Sequence, residues 1–142
     1  IAGVIHDPIR GETFYAEKGA GAFSNKKRLR VAGRTALNDG LVAVGDDTFI
    51  NIDFPQGCRM RRLGSACLDL AYVAAGRLDA YWEAGLNPWD KAAGALMVRE
   101  AGGYVSEPKG GKNVVYGNGI LAANPALHTE LVKKLNAIKG VA

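Results

Sequence analysis

Short apolar runs separated by turn residues fill the first thirty positions, with Val4-Ile5, Phe14-Tyr15-Ala16 and Ala22-Phe23 set between Asp7-Pro8, Gly19, Gly21 and Asn25. This spacing predicts an antiparallel meander. Leu41-Val42-Ala43-Val44 reads as a buried strand ending at Gly45-Asp46-Asp47-Thr48, and Arg59 to Leu63 as another. From Ala66 to Ala75 nearly every side is apolar, which predicts a buried helix with Ser65 as its N-cap. Leu78 to Trp82 reads as a short strand that Glu83 ends. Asn87 and Pro88 then announce a helix whose apolar stripe is Trp89, Ala92, Ala93, Leu96, Met97 and Ala101, stopped by Gly102-Gly103. Strands at Tyr104–Ser106 and Gly119–Ala123 flank a Gly/Lys turn, and Asn124-Pro125 opens a last helix with Leu127, Leu131, Leu135 and Ile138 on one stripe. Strands alternating with helices after an antiparallel start predict an α/β layered architecture with a mixed sheet.

Two carboxylates fall on one loop of this pattern. Glu83 stands at a strand end, and Asp90 is third in the helix that Asn87 opens. A strand end and a helix start converging on one loop commonly build a polar pocket. Local sequence equally allows Asp90 to be a capping carboxylate that meets free backbone N–H groups, worth about 1 kcal/mol.

The run from Gly64-Ser65-Ala66-Cys67-Leu68-Asp69-Leu70 through Tyr81-Trp82-Glu83 and Trp89-Asp90-Lys91-Ala92-Ala93-Gly94 to Glu100-Ala101-Gly102-Gly103 resembles the C-terminal signature of the inositol monophosphatase family. Phe14 to Phe23 and Leu121 to Asn124 extend the resemblance on both sides, so it covers most of the chain. It implies an enzyme that hydrolyses phosphate monoesters with Mg²⁺, which polarises the phosphoryl group and activates a water. Asp90 matches the metal-binding aspartate of the family's Trp-Asp motif. Glu83 matches a glutamate that contacts substrate hydroxyls, and Gly64, Ser65 and Ala66 match a turn beside the substrate. For Ser65, capping alone is an equal explanation.

The resemblance also implies a layered sandwich of five α and β layers, of which this chain forms the second half. Residues 1–40 are then strand hairpins belonging to the first αβ half, and 41–142 a C-terminal α/β domain with the Trp-Asp motif. Ile1-Ala2-Gly3-Val4-Ile5 reads as the middle of a strand. The family carries, before this point, an acidic helix residue and an Asp-Pro-Ile-Asp-Gly-Thr loop that supply most metal ligands. Asp7-Pro8-Ile9-Arg10-Gly11-Glu12 is a lookalike only, because Arg10 places a cation where Mg²⁺ needs a hard oxygen donor. Asp7 is expected to form a turn. Between Thr48 and Gln56 the family leads one to expect a helix, and Phe49-Ile50-Asn51-Ile52-Asp53-Phe54-Pro55 is too short and too β-branched for one.

Bulk properties narrow the reading little further. At 142 residues, 48% hydrophobic and 23% charged, the chain has the size of a single domain with a real core. A net charge of +4 is modest, and the cluster Lys26-Lys27-Arg28-Leu29-Arg30 lacks aromatic interleaving, so it reads as a solvated hairpin edge and not as a nucleic-acid surface. Two cysteines, Cys58 and Cys67, form no zinc spacing and suit a reducing cytoplasm, with Cys67 packed in its helix. No stretch is long and apolar enough for a membrane span. Asp46-Asp47 reads as a solvated loop, Asp69 as a hydrogen-bonded structural carboxylate, and His6 and His128 as surface or packing histidines.

Two functions follow. The first is a Mg²⁺-dependent phosphatase acting on a small phosphorylated polyol, inositol monophosphate foremost, with fructose 1,6-bisphosphate or a 3′-phosphonucleotide as rival substrates and a homodimer implied by the family. The second is a catalytically incomplete relative that binds a ligand or partner, since one aspartate makes a poor Mg²⁺ site. On either, these 142 residues alone are expected to be inactive.

Overall fold

The computed structural model describes residues 1–139. The meander forms as the turn spacing predicts: β1 (Ala2–Asp7), β2 (Glu12–Glu17), β3 (Gly21–Ser24) and β4 (Lys27–Arg28) pair in sequence order, all antiparallel. Asp7 makes its turn by accepting from the Ile9 and Arg10 N–H groups at 3.0 and 3.2 Å and from the Arg10 guanidinium at 2.9 Å. This is an Asx-type turn, and it explains Asp7 without a metal.

A second, mixed sheet has the order β6-β5-β7-β9-β8, built from β5 (Leu41–Val44), β6 (Arg59–Arg61), β7 (Ala80–Ala84), β8 (Tyr104–Ser106) and β9 (Gly119–Ala123). β5 runs parallel to β6 and β7, whereas β9 is antiparallel to β7 and β8. Between the two sheets lie α1 (Ala66–Ala74) and α2 (Pro88–Glu100), and α3 (Pro125–Ala137) covers the far face of the second sheet. The layers are therefore sheet, helix pair, sheet, helix. This is an α/β sandwich with mixed sheets.

Two cores hold the layers together, one on both faces of the helix pair and one between the second sheet and α3. Ile5, Phe14, Leu70, Val73, Tyr81, Met97, Val98 and Ile120 fill the space around α1 and α2. Val42, Val44, Trp82, Leu121 and the α3 residues Leu127, Leu131 and Leu135 fill the other. Burying each leucine of that last stripe contributes about 2 kcal/mol. The connection 45–58 contains no helix: Phe49 and Ile52 drop into the second core and Trp82 Nε1–H donates to the Phe49 carbonyl at 3.3 Å. Two apolar anchors thus pin the connection to the second core.

Two details, one of α2 and one of β7, differ from the sequence expectation. Trp89 is 75% exposed, and the buried stripe of α2 is Lys91, Gly94, Ala95, Met97 and Val98. A helix held between two sheets buries more than one face, so a single stripe of apolar residues does not locate it. Gly94 marks where α1 crosses: a Cβ there would lie 2.5 Å from Leu70 Cβ, so only glycine lets the two helices come this close. The strand holding Glu83 also runs on to Ala84, which puts Glu83 inside β7 and not at its end.

Candidate active site

α1 and α2 both begin at one edge of the molecule, beside the end of β7. Ser65 caps α1, its hydroxyl accepting from the Leu68 N–H at 3.4 Å and its carbonyl from the Asp69 N–H at 2.9 Å. The first-turn N–H groups of Ala66 and Cys67 have no partner within the helix, the usual condition of a helix start. Gly64 precedes the cap with φ of 84°, a left-handed conformation in which a side chain is strained. At α2, Asp90 Oδ2 accepts from the Asn87 N–H at 2.9 Å, and the Asp90 N–H donates to the Asn87 carbonyl at 3.1 Å. Its capping role is thus real, and the other carboxylate oxygen is not used by it.

These helix starts and β7 enclose a polar cavity of about 380 Å³ lined by Gly45, Gly64, Ser65, Ala66, Cys67, Asp69, Glu83, Leu86 and Asp90. Asp90, Glu83, Gly64, Ser65 and Ala66, the five residues singled out in the sequence, all border it. Glu83 is fixed from two sides. Tyr81 donates its O–H to Glu83 Oε2, and Gly45 leaves the room that the carboxyl occupies, since a Cβ there would lie 1.8 Å from it. Burial and the Glu83 hydrogen bond push the Tyr81 phenol far up, so it acts as a donor throughout the working pH range.

Three residues of this neighbourhood escaped the sequence reading. Cys67 does not merely pack: its thiol donates to the Asp90 carbonyl at 3.3 Å, and burial pushes it up from the ordinary thiol value. Asp69 is buried as expected, yet its Oδ1 has no hydrogen-bond partner among the described residues, which corrects its reading as a bonded structural carboxylate. Burial, with the Glu83 charge second, pushes it up to about 7. Lys91, next to Asp90, is fully buried and directs its ammonium to the Gly117 and Gly119 carbonyls, while desolvation lowers its pKa. A lysine in a predicted helix gives no hint of carbonyl partners supplied from a distant loop.

The other titratable candidates lie elsewhere. Asp46 is held by the Thr48 hydroxyl at 2.7 Å and Asp47 pairs with Arg62, as a surface loop would. His6 meets Thr13 Oγ1 at 2.9 Å on the exposed sheet face. His128 meets Ser106 Oγ at 2.8 Å, and burial lowers its pKa. Asp90 offers a hard oxygen of the kind Mg²⁺ takes. Among the described residues, no group of three His, Cys, Asp or Glu side chains is arranged to hold a metal ion, so Asp90 fits as one ligand of a shell and not as the shell.

The sequence profile described as the Inositol monophosphatase family matches residues 1–139, and the chain belongs to that family. An inositol-1-monophosphatase of Mesorhizobium japonicum is 44% identical over 145 residues, covering 94% of this chain and 54% of that protein. The Nus factor SuhB of Escherichia coli K12 is 47% identical over 133 residues, covering 86% and 50%. Among solved structures, the extragenic suppressor protein suhB of Bartonella henselae superposes with a TM-score of 0.87 at 45% identity, covering 96% of this chain and 58% of that one. The chain thus spans about half the length of the curated relatives it matches. No helix among the described residues is long and apolar enough to cross a membrane.

Proposed function

We propose that this chain forms the polyol-binding and part of the metal-binding side of a Mg²⁺-dependent phosphomonoesterase whose substrate is inositol monophosphate. One observation carries the reading: Asp90, Glu83 and the Gly64–Ala66 turn come from three separate elements yet border a single polar cavity. Bound Mg²⁺ would supply Lewis-acid polarisation of the phosphoryl group and a more acidic water. Asp90 would hold it through the carboxylate oxygen that the helix cap does not use. Glu83, oriented by Tyr81, accepts a hydrogen bond from a substrate hydroxyl, and the open N–H groups at the start of α1 face an oxygen of the ligand.

The remaining metal ligands come, on this reading, from an acidic loop outside these residues, so residues 1–142 by themselves bind weakly and do not turn over. The enzyme works in the cytoplasm as a homodimer, a state that sedimentation checks. The decisive experiment is Mg²⁺-dependent phosphate release from inositol 1-phosphate by the complete protein, wild type against Asp90→Asn, with fructose 1,6-bisphosphate and a 3′-phosphonucleotide as competing substrates. Release that Asp90→Asn abolishes supports the proposal. Ligand binding with no release from the complete wild-type protein overturns it in favour of a binding module.

A further inference from the structure

Asp69 Oδ1 stands out among the described residues as a buried side-chain oxygen with no hydrogen-bond partner. Such groups are rare in folded proteins because desolvation penalises the charged form. Asp69 is 1% exposed, lies in the first turn of α1 and borders the same cavity as Glu83.

Among the described residues no cation is committed to it. From β7 come Glu83 and Tyr81, and the Tyr81 hydroxyl is already given to Glu83. From α2 come Asp90, tied to the Asn87 N–H, and Lys91, whose ammonium is aimed at the Gly117 and Gly119 carbonyls. On α1 itself the Cys67 thiol donates to the Asp90 carbonyl. The inward carboxylate of β1, Asp7, is neutralised by Arg10, and β9 contributes the apolar Ile120 and Ala122. Two carboxyl groups brought together without a cation are stable only when one of them holds a proton. Asp69 is the more enclosed of the two, Glu83 being partly exposed, so the proton belongs on Asp69.

The geometry points to a positioning role for Asp69: its carboxyl, on α1, works in the acid form on the cavity it shares with Glu83, leaving Glu83 the one anion of that pair, free to accept a hydroxyl hydrogen. The identity of the ligand rests on the phosphatase reading; the coupling of the two carboxyl groups does not. Burial and the Glu83 charge place the loss of the Asp69 proton near pH 7. Above that pH a second negative charge enters the cavity from α1, Glu83 is pushed from its place, and affinity falls while the chemistry at the Asp90 end is untouched.

Asp69→Asn keeps the shape and removes the titration, and the complete protein is assayed with inositol 1-phosphate at saturating Mg²⁺ from pH 6 to 9. The wild-type KM is expected to rise about tenfold across this range, and the KM of Asp69→Asn to stay within about twofold, with kcat following the same profile in both. Carbon-13 carboxyl resonances followed over the same range give a readout independent of turnover: Asp69 titrates near neutrality, and the Glu83 resonance reports that step and loses it in Asp69→Asn. Matching KM profiles for the two proteins, or an Asp69 resonance that titrates in the ordinary carboxylate range, overturn the proposal. Absence of phosphate release from any variant overturns the phosphatase reading instead, and the resonance titration alone then decides the coupling. If Asp69→Asn does not fold, the wild-type resonances decide it.

Discussion

Asn87-Pro88 opens α2 and Asn124-Pro125 opens α3, so one helix-start signal occurs twice in the chain. At α3 it is wholly structural. The Asn124 side-chain oxygen accepts from the Leu127 N–H at 2.9 Å, and its amide donates to the Ala32 and Arg34 carbonyls at 2.8 and 2.6 Å, so the residue is buried with its bonding capacity filled. At α2 the bonding is local, between Asn87 and Asp90, and the start of the helix faces a polar cavity with Trp89 exposed beside it. A helix start tied to distant backbone fixes the fold, whereas one satisfied by its own first turn leaves an oxygen for a ligand.

The sharpest way to break this comparison is at Asp90. In the complete protein, Asp90→Asn should lower the proposed Mg²⁺-dependent phosphate release by about a thousandfold or more, yet lower stability by less than about 1 kcal/mol, read by phosphate assay and urea unfolding on the same preparation. Asn124→Ala should do the reverse, since it strips a cap and leaves the part-buried Ala32 and Arg34 carbonyls without that partner. A loss of about 2–3 kcal/mol in urea unfolding is expected, with KM unchanged. Gly45→Ala tests the wall between them. The new methyl meets the far end of the Glu83 side chain, so Glu83 yields and not the fold: KM should rise about tenfold, and the unfolding midpoint should hardly move.

The smallest effect belongs to His128 on α3. Burial holds its folded pKa below the ordinary 6.5, so the unfolded chain takes up the proton first as the pH falls. His128 therefore adds stability that is complete above pH 6.5 and is lost as the pH drops through the folded pKa. His128→Gln should flatten the stability curve below pH 6.5 by less than about 1 kcal/mol, measured as the difference between unfolding curves at pH 5.5 and 7.5.

The sequence announced both helix starts and the meander, because each is written in neighbouring positions: Asn-Pro caps, Asp7-Pro8 at a turn, Gly64-Ser65 before an apolar run; spacing put Glu83 and Asp90 on one loop, and only the family resemblance brought Gly64, Ser65 and Ala66 to the same site. What it withheld depends on partners far away along the chain. The burial of Lys91 was not legible because its Gly117 and Gly119 carbonyls lie on another loop, and Trp89 looked buried because the stripe rule assumes one packed face. Asp69 looked satisfied because a lack of partners cannot be read from spacing. The connection 45–58 was legible as non-helical from its β-branched residues, though its anchoring by Phe49 and Ile52 was not.

The contact of Gly94 with Leu70 also sets a gauge. With no side chain on Gly94, α1 and α2 approach as closely as backbone and leucine allow, and their N-terminal ends carry Ser65 and Asp90. A single methyl at position 94 would wedge the pair apart at its crossing and change the separation of the two ends, and with it the size of molecule that reaches both. The bore of the site is thus set from deep in the core, by an atom that is missing.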